Sequence, residues 1–415
     1  MNKTFKTKWS SSRQQYIITD EKHVLKGKAS KNTVTLAISA VLAIASGTSA
    51  AAYVEKGVVG NQASWESAEY QKDWGLAAMN ASKAYSLGFS GQNVAVGVMD
   101  SGALLQKHPE LAGNRFHASS AQGKYGSNGN RYQTGVRGIG DVFKNGDYKE
   151  GESFNLDGNF IAEKNDTHGT HVTGTVGANR DGSEFHGVAW GANVYVGNSG
   201  GTDNTNYGPF QDYKYFHAAW SSLAQDLIAA NGTERGGVIN NSFGTNLRYG
   251  ASGGTSLPVN STAQTEYEYF LFKQVYGDKK TFVDAAWDAV KGTNVVQVFT
   301  TGNRDFANPY YRPLYPYFSP EAERNWIAVA GLQKDGVGTD GKDTYKWISN
   351  FNEAGNAKWW TIAAPGRDIY SSIVYDDHYE DTDALHPLGT PGYASYGGTS
   401  MAAPHVSGPM TVLMS

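Results

Sequence analysis

Ser400 sits in Gly397-Gly398-Thr399-Ser400-Met401-Ala402-Ala403-Pro404-His405-Val406, which joins a turn, a hydroxyl pair and a helix start. Paired glycines permit a sharp turn because they adopt backbone angles that a Cβ forbids. Thr399 or Ser400 can then cap a helix beginning at Met401. Pro404 fits there because proline is tolerated only in a first helical turn. A serine at a helix N-terminus has backbone N–H groups and the helix dipole beside it, a setting suited to a developing oxyanion. The competing reading is a serine that only caps its helix. A serine nucleophile needs a base, and imidazole suits because it titrates near neutrality. His168-Gly169-Thr170-His171-Val172-Thr173-Gly174 reads as a short helix of small residues with a histidine at its start. The pair His168 and His171 could suggest a metal, but this spacing without a nearby Glu or Cys makes a poor zinc site. Asp100 ends the apolar run Val94-Ala95-Val96-Gly97-Val98-Met99 and precedes Ser101-Gly102. Strand-end carboxylates in α/β folds lie at the carboxyl edge of the sheet, where sites form.

The elements that must hold these residues alternate along the chain. Trp74–Tyr85 is rich in alanine and favours helix. Ala192–Val196 reads as a strand, and His217–Asn231 as an amphipathic helix stopped by Asn231-Gly232. Gly237–Gly244 is the next strand, then Thr281–Lys291 a helix ended by Gly292. Val295–Asn303 is a buried strand finishing in an amide, a residue type usually found in turns. Trp326–Gly331 is a further strand, and Ala363-Ala364-Pro365-Gly366 turns toward the serine stretch. Residues 115–160 are rich in Gly, Asn, Lys and Asp with little apolar periodicity. They read as a long loop inserted between Asp100 and His168, and such loops are usually functional or mobile.

The order Asp100, His168, Ser400, in these three contexts, resembles the subtilisin-like serine proteases, whose Asp–His–Ser order is that of subtilisin itself. The resemblance covers roughly residues 74–415. It implies an α/β fold with a doubly wound, mainly parallel sheet flanked by helices. It implies a serine endopeptidase that cleaves peptide bonds through an acyl-enzyme. In that likeness Ser400 is the nucleophile, His168 the base, Asp100 its orienting carboxylate, and Asn303 a donor to the oxyanion, while His171 is structural. Ser242, Gly244 and Gly302 match positions that contact an extended substrate, a mode in which backbone bonds give affinity and side-chain pockets give specificity. An ordinary buried strand is the other reading of Ser242 and Gly244. Phe306, Tyr310, Tyr311 and Pro313 match a loop lining the primary specificity pocket, which implies a bulky apolar or aromatic residue before the scissile bond.

His108-Pro109-Glu110-Leu111 resembles a family stretch whose acid often ligates calcium, and Glu110 is the match, one residue further on than usual. Calcium takes six to eight oxygens. The sequence does not assemble the rest, so an exposed turn carboxylate is the favoured reading of Glu110. No cofactor is required, and structural calcium is the one ion the likeness allows. Two other functions fit the same features: a surface adhesin that kept the fold without the activity, and an esterase or amidase using the same three residues.

The chain has 415 residues, is 40% hydrophobic, and contains no cysteine. That length suffices for one large domain or two ordinary ones. The lack of cysteine excludes disulfides, a thiol nucleophile and cysteine-bound zinc. Residues 1–31 carry eight Lys/Arg against two acids, a net of +6, and Val34–Ala45 is apolar with small residues before Gly47-Thr48-Ser49-Ala50-Ala51-Ala52. A basic start, a short apolar region and a small-residue cleavage site read as an exported signal over residues 1–52. The apolar run is too short to span a bilayer, which takes roughly 20 residues. The extended start resembles the signal regions of Gram-negative autotransporters. That likeness implies a surface-exposed or secreted protein and an outer-membrane β-barrel following this chain, since only fifteen residues come after Ser400. The expected division is therefore signal 1–52, short leader or linker 53–73, and catalytic domain 74–415, cut short after the start of the serine helix. Removing the signal from a chain of net charge −4 leaves about −10. Without a basic stripe there is no case for nucleic-acid binding, and protein or peptide substrates are the expected partners.

Overall fold

The computed structural model describes residues 57–127, 148–162, 165–199, 212–243, 280–303, 305–376 and 380–415. It also describes the backbone of Lys6–Ser10 and Gln15–Thr19, which pair as two antiparallel strands. The signal expected over 1–52 lies otherwise outside the described residues.

The centre is an eight-stranded sheet. Its strands are β1 (Ala95–Asp100), β2 (Phe116–Ala118), β3 (Asn193–Asn198), β4 (Gly237–Asn241), β5 (Val295–Thr300), β6 (Trp326–Val337), β7 (Asp343–Trp347) and β8 (Thr361–Pro365). They lie in the order β7-β6-β5-β4-β1-β3-β2, with β8 also on β6. Every pairing is parallel except β6 with β7. Parallel strands need both faces covered, so their sequences read as continuous apolar runs. β1 obeys this, with all six residues buried.

Alternation along β1 divides the core. Ala95 and Met99 face α4 (Tyr213–Asn231) and α5 (Phe282–Asp288), where Trp220, Leu223, Phe282, Trp287, Phe299 and Trp326 pack. Val96 and Val98 face the opposite layer, built from α3 (His168–Gly177) and α7 (Pro404–Met414) with Val172, Val176 and Val406. Helices on both faces of a mainly parallel sheet make this a doubly wound α/β fold.

Several boundaries differ from the sequence reading for local reasons. α4 starts at Tyr213, four residues before His217, because the Asp212 carboxylate caps it by accepting from Tyr215 N at 2.9 Å. Its stop is the expected one, at Gly232 with φ +86°. α5 ends at Asp288, and its start at Thr281 is fixed by reciprocal bonds with Asp284. The stretch Trp74–Tyr85 is two helices, α1 (Trp74–Ala78) and α2 (Ala81–Ser86). The break is Asn80, which takes a left-handed φ of +56°, a conformation asparagine tolerates better than most residues.

The expected loop 115–160 contains regular structure in its described parts. Phe116–Ala118 adds an edge strand to β3, and Ser120–Lys124 pairs antiparallel with Ser153–Asp157. Ala121 and Phe154 bury against the α4 side of the core, which pins this hairpin to the sheet. Residues 128–147 lie outside the described residues. Part of the expected leader, from residue 57 on, packs on the domain. Trp65 and Tyr70 form a small core with Leu76, Tyr85 and Val188.

Candidate active site

Asp100 ends β1 and is completely buried. Its Oδ1 accepts from Ser101 N at 2.8 Å and lies 2.7 Å from His168 Nδ1. A carboxylate fixes the Nδ1–H tautomer, which leaves Nε2 as the proton acceptor. The start of α3 is held to the end of β1 by contacts the sequence reading missed. Ser101 Oγ donates to Asp166 Oδ1 at 2.8 Å, His168 N donates to the same oxygen at 2.9 Å, and Gly169 N donates to Ser101 Oγ at 2.9 Å. Gly169 is required there, since a Cβ would stand 2.1 Å from Gly102 O. The available signal was an acid two residues ahead of the histidine, a spacing that suits a helix cap.

Ser400 lies in α6 (Thr399–Ala402), a short helix in contact with α3. Asp100 is 0% exposed, whereas His168 and Ser400 keep 6% and 7%, so only the latter two retain some exposed surface. Ser400 Oγ donates to Ser242 O at 2.6 Å. In this rotamer the hydroxyl points to the neighbouring strand end.

The expected hydroxyl cap is not formed. Gly398 occupies the cap position with no side-chain cap bond. The Thr399 hydroxyl instead donates to Asn303 Oδ1 at 2.9 Å, and Thr399 N donates to the same oxygen at 2.8 Å. Two bonds on Oδ1 fix the orientation of the Asn303 amide. Its Nδ2 lies next to Gly398, where a Cβ would approach it to 3.3 Å. Gly398 therefore makes room for an amide donor beside the serine turn.

The expected substrate contacts need revision. Ser242 is fully buried. Its Oγ donates to Ser400 O at 2.7 Å, so the side chain is engaged with the serine turn. Gly302 also has both backbone groups engaged: its N donates to Thr399 Oγ1 at 3.2 Å and its O accepts from Asn352 N at 2.8 Å. Gly302 is a spacer, with φ +115° and the Tyr310 ring 2.5 Å from where a Cβ would be. Gly244 lies outside the described residues. Tyr311, read as pocket lining, belongs to the main core.

Glu110 is not an exposed turn carboxylate, because it is 0% exposed. Its Oε1 accepts from Ser183 Oγ at 2.9 Å and Tyr393 OH at 3.1 Å. Burial pushes its carboxyl up to about 7. Those hydroxyls already act as donors to Glu110, and among the described residues no group of three His, Cys, Asp or Glu could hold a metal. The second Glu110 oxygen, Oε2, is buried without a hydrogen-bond partner, and no step is assigned to calcium. His171 is buried, with Nε2 at 3.1 Å from Ile369 O and its ring stacked on Tyr396, which suits a structural residue. His405, on the first turn of α7, pairs with Asp73 at 2.8 Å deep in the molecule. Burial alone lowers its pKa, but the Asp73 carboxylate and the bonds to Asp73 and Met401 raise it above the ordinary value.

The sequence profile of the Subtilase family matches residues 91–415. The chain belongs to the subtilase family. It is similar to the extracellular serine protease of Serratia marcescens, 27% identical over 404 residues, covering 88% of this chain and 32% of that protein. It is also similar to the autotransporter lipoprotein NalP of Neisseria meningitidis, 25% identical and covering 81% of this chain and 30% of NalP. Subtilisin DY of Bacillus licheniformis is 25% identical, with 82% of this chain and 84% of that subtilase covered. The chain thus spans about a third of the two Gram-negative relatives and most of the Bacillus one. Among solved structures, fervidolysin of Fervidobacterium pennivorans aligns with a TM-score of 0.45 at 24% identity, over 82% of this chain and 39% of that one. The family membership agrees with the doubly wound topology found in the sheet.

Proposed function

We propose that this subtilase chain is the catalytic part of an exported serine endopeptidase acting on proteins or peptides. The observation that carries the reading is the Asp100 Oδ1 to His168 Nδ1 pair at 2.7 Å, at the carboxyl end of β1 and beside the Ser400 turn. In the reaction, Ser400 Oγ turns from Ser242 O toward His168 Nε2, gives up its proton there and attacks the scissile carbonyl. Such bonds are often loose before substrate arrives and tighten in the complex. Asp100 keeps the imidazole in the productive tautomer and stabilises the imidazolium. Asn303 Nδ2 and the N–H of Ser400 stabilise the oxyanion. His168 then protonates the leaving amine, and water hydrolyses the acyl-enzyme with His168 again as base.

Substrate would pair as an added strand with the backbone just past the end of β4, where the likeness makes Ser242 and Gly244 the candidate contacts. A bulky apolar or aromatic residue before the cut remains part of this proposal, and a peptide-library profile dominated by Arg or Lys at that position would contradict it. Export by the basic signal, and a following outer-membrane barrel, are supported by the likeness to extracellular and autotransporter relatives.

The test is fluorophosphonate labelling of the longest form secreted by a Gram-negative host, with Ser400→Ala beside it. Label on the wild type and none on the variant is the expected result. A folded full-length protein that takes no label would move the adhesin reading ahead. Turnover of simple esters without peptide cleavage would replace endopeptidase by esterase.

A further inference from the structure

Pro404 begins α7, and its ring nitrogen carries no hydrogen. In a continuous helix, residue 404 would donate to the carbonyl of residue 400. The carbonyl of the proposed nucleophile therefore has no helical donor. Ser242 Oγ takes that place at 2.7 Å. Ser242 is itself oriented, because Asn240 Nδ2 donates to its Oγ at 2.9 Å. Asn240 is oriented in turn by Ser407 Oγ, which donates to Asn240 Oδ1 at 3.0 Å. Asn240, Ser242 and Ser407 are all fully buried. The result is a buried, directional chain from Ser407 through Asn240 and Ser242 to the Ser400 carbonyl. Asn240 and Ser242 each have one role as donor and one as acceptor in it, while the Ser407 hydroxyl lies between Asn240 Oδ1 at 3.0 Å and the helix carbonyl of Ala403 at 3.2 Å.

We infer that Asn240 and Ser407 are positioning residues for the nucleophile, acting through Ser242 on the carbonyl that Pro404 strands. The inference rests on the reading of Ser400 as nucleophile. The direction of the chain matters. The Ser242 hydroxyl has one proton, and it is available to Ser400 O only while the Asn240 side supplies a donor. Without it, the Ser242 hydroxyl turns toward Asn240, the Ser400 carbonyl is left buried and unpaired, and the peptide bearing the nucleophile is free to shift.

Asn240→Asp tests this directly in the full secreted protein. A protonated carboxyl at this position can still donate to Ser242 Oγ, whereas a carboxylate can only accept and captures the Ser242 proton. The expected result is a pH signature measured as the ratio of variant to wild-type kcat, per active site titrated with fluorophosphonate. The ratio should fall about tenfold as pH rises and the introduced carboxyl ionises, with KM within about twofold. Taking the ratio removes the pH dependence that both proteins share. A purely structural role would change the fraction of folded protein and leave this ratio flat. A flat ratio near one overturns the inference.

Should Asn240→Asp fail to fold, Ser407→Ala removes the hydroxyl on Asn240 Oδ1 together with its longer bond to Ala403 O. A drop of roughly threefold in kcat at unchanged KM is expected, and an unchanged kcat again overturns the inference. Failure of the underlying reading is distinct: the wild type itself would then take no Ser400-dependent label.

Discussion

Asn303 is the residue whose role is most sensitive to a single atom. Its Oδ1 is held by Thr399 N and Oγ1, so its Nδ2 is aimed by the same turn that carries Ser400. If Asn303 is the oxyanion donor proposed above, Asn303→Ala is expected to lower kcat by about 10²–10³ with KM little changed, the loss measured for an oxyanion-hole asparagine in subtilisin. Steady-state kinetics on a peptide substrate checks this, and a loss confined to KM would assign Asn303 to ground-state binding. Asn303→Asp should be comparably poor, since Thr399 would still hold one oxygen while the other opposes the oxyanion. The place of Asn303 just past an apolar run was readable in the sequence, although β5 ends at Thr300 and not at the amide. Its partner Thr399 was not, because a threonine ahead of a helix reads first as a cap.

Glu110 belongs to the scale of elements, where three segments meet. It follows the turn at His108, and its carboxyl is reached by Ser183 after α3 and by Tyr393 in the strand Pro391–Tyr396. In the folded protein the carboxyl holds its proton up to about 7, against 4.5 without the fold. The folded state therefore binds more protons in that interval. Stability should fall as pH rises from about 4.5 to about 7. Glu110→Gln keeps an acceptor for both hydroxyls and removes the titration. The wild type is expected to lose roughly 1–3 kcal/mol relative to this variant between pH 5 and pH 7.5. Denaturant unfolding at the two pH values measures it, and parallel pH dependence in both proteins would show that Glu110 is ionised in the fold.

At the scale of the whole molecule, the N-terminal segment from residue 57 is part of the folded body. Trp65 stacks on Trp190 with centroids 6.0 Å apart, and the Arg180 guanidinium lies 5.1 Å over its ring. Asp73 ends the segment by reaching His405 in the helix that follows Ser400. This contact ties residues 57–73 to the helix that follows Ser400. Trp65→Ala is expected to destabilise by about 3–5 kcal/mol, as a large buried aromatic does when truncated. Thermal unfolding tests it. An unchanged midpoint would mean that this segment does not unfold together with the sheet.

The sequence alone determined the elements that carry strong local signals. The buried strands Ala95–Asp100 and Val295–Thr300 were legible from largely apolar runs, and the Gly232 stop of α4 from the glycine itself. The contexts of Asp100, His168 and Ser400 were legible for the same reason, since each couples a residue type to a nearby element boundary. The tertiary structure decided what depends on contacts distant in sequence. Ser242 looked like a substrate-facing strand residue, but its hydroxyl finds the Ser400 carbonyl, a partner 158 positions away. Glu110 looked exposed because its sequence neighbours form a turn, and it is buried because Ser183 and Tyr393 arrive from elsewhere. Local sequence records propensity and periodicity, which act over a few residues. Burial and the choice of hydrogen-bond partner are set only when the sheet and its two helical layers close.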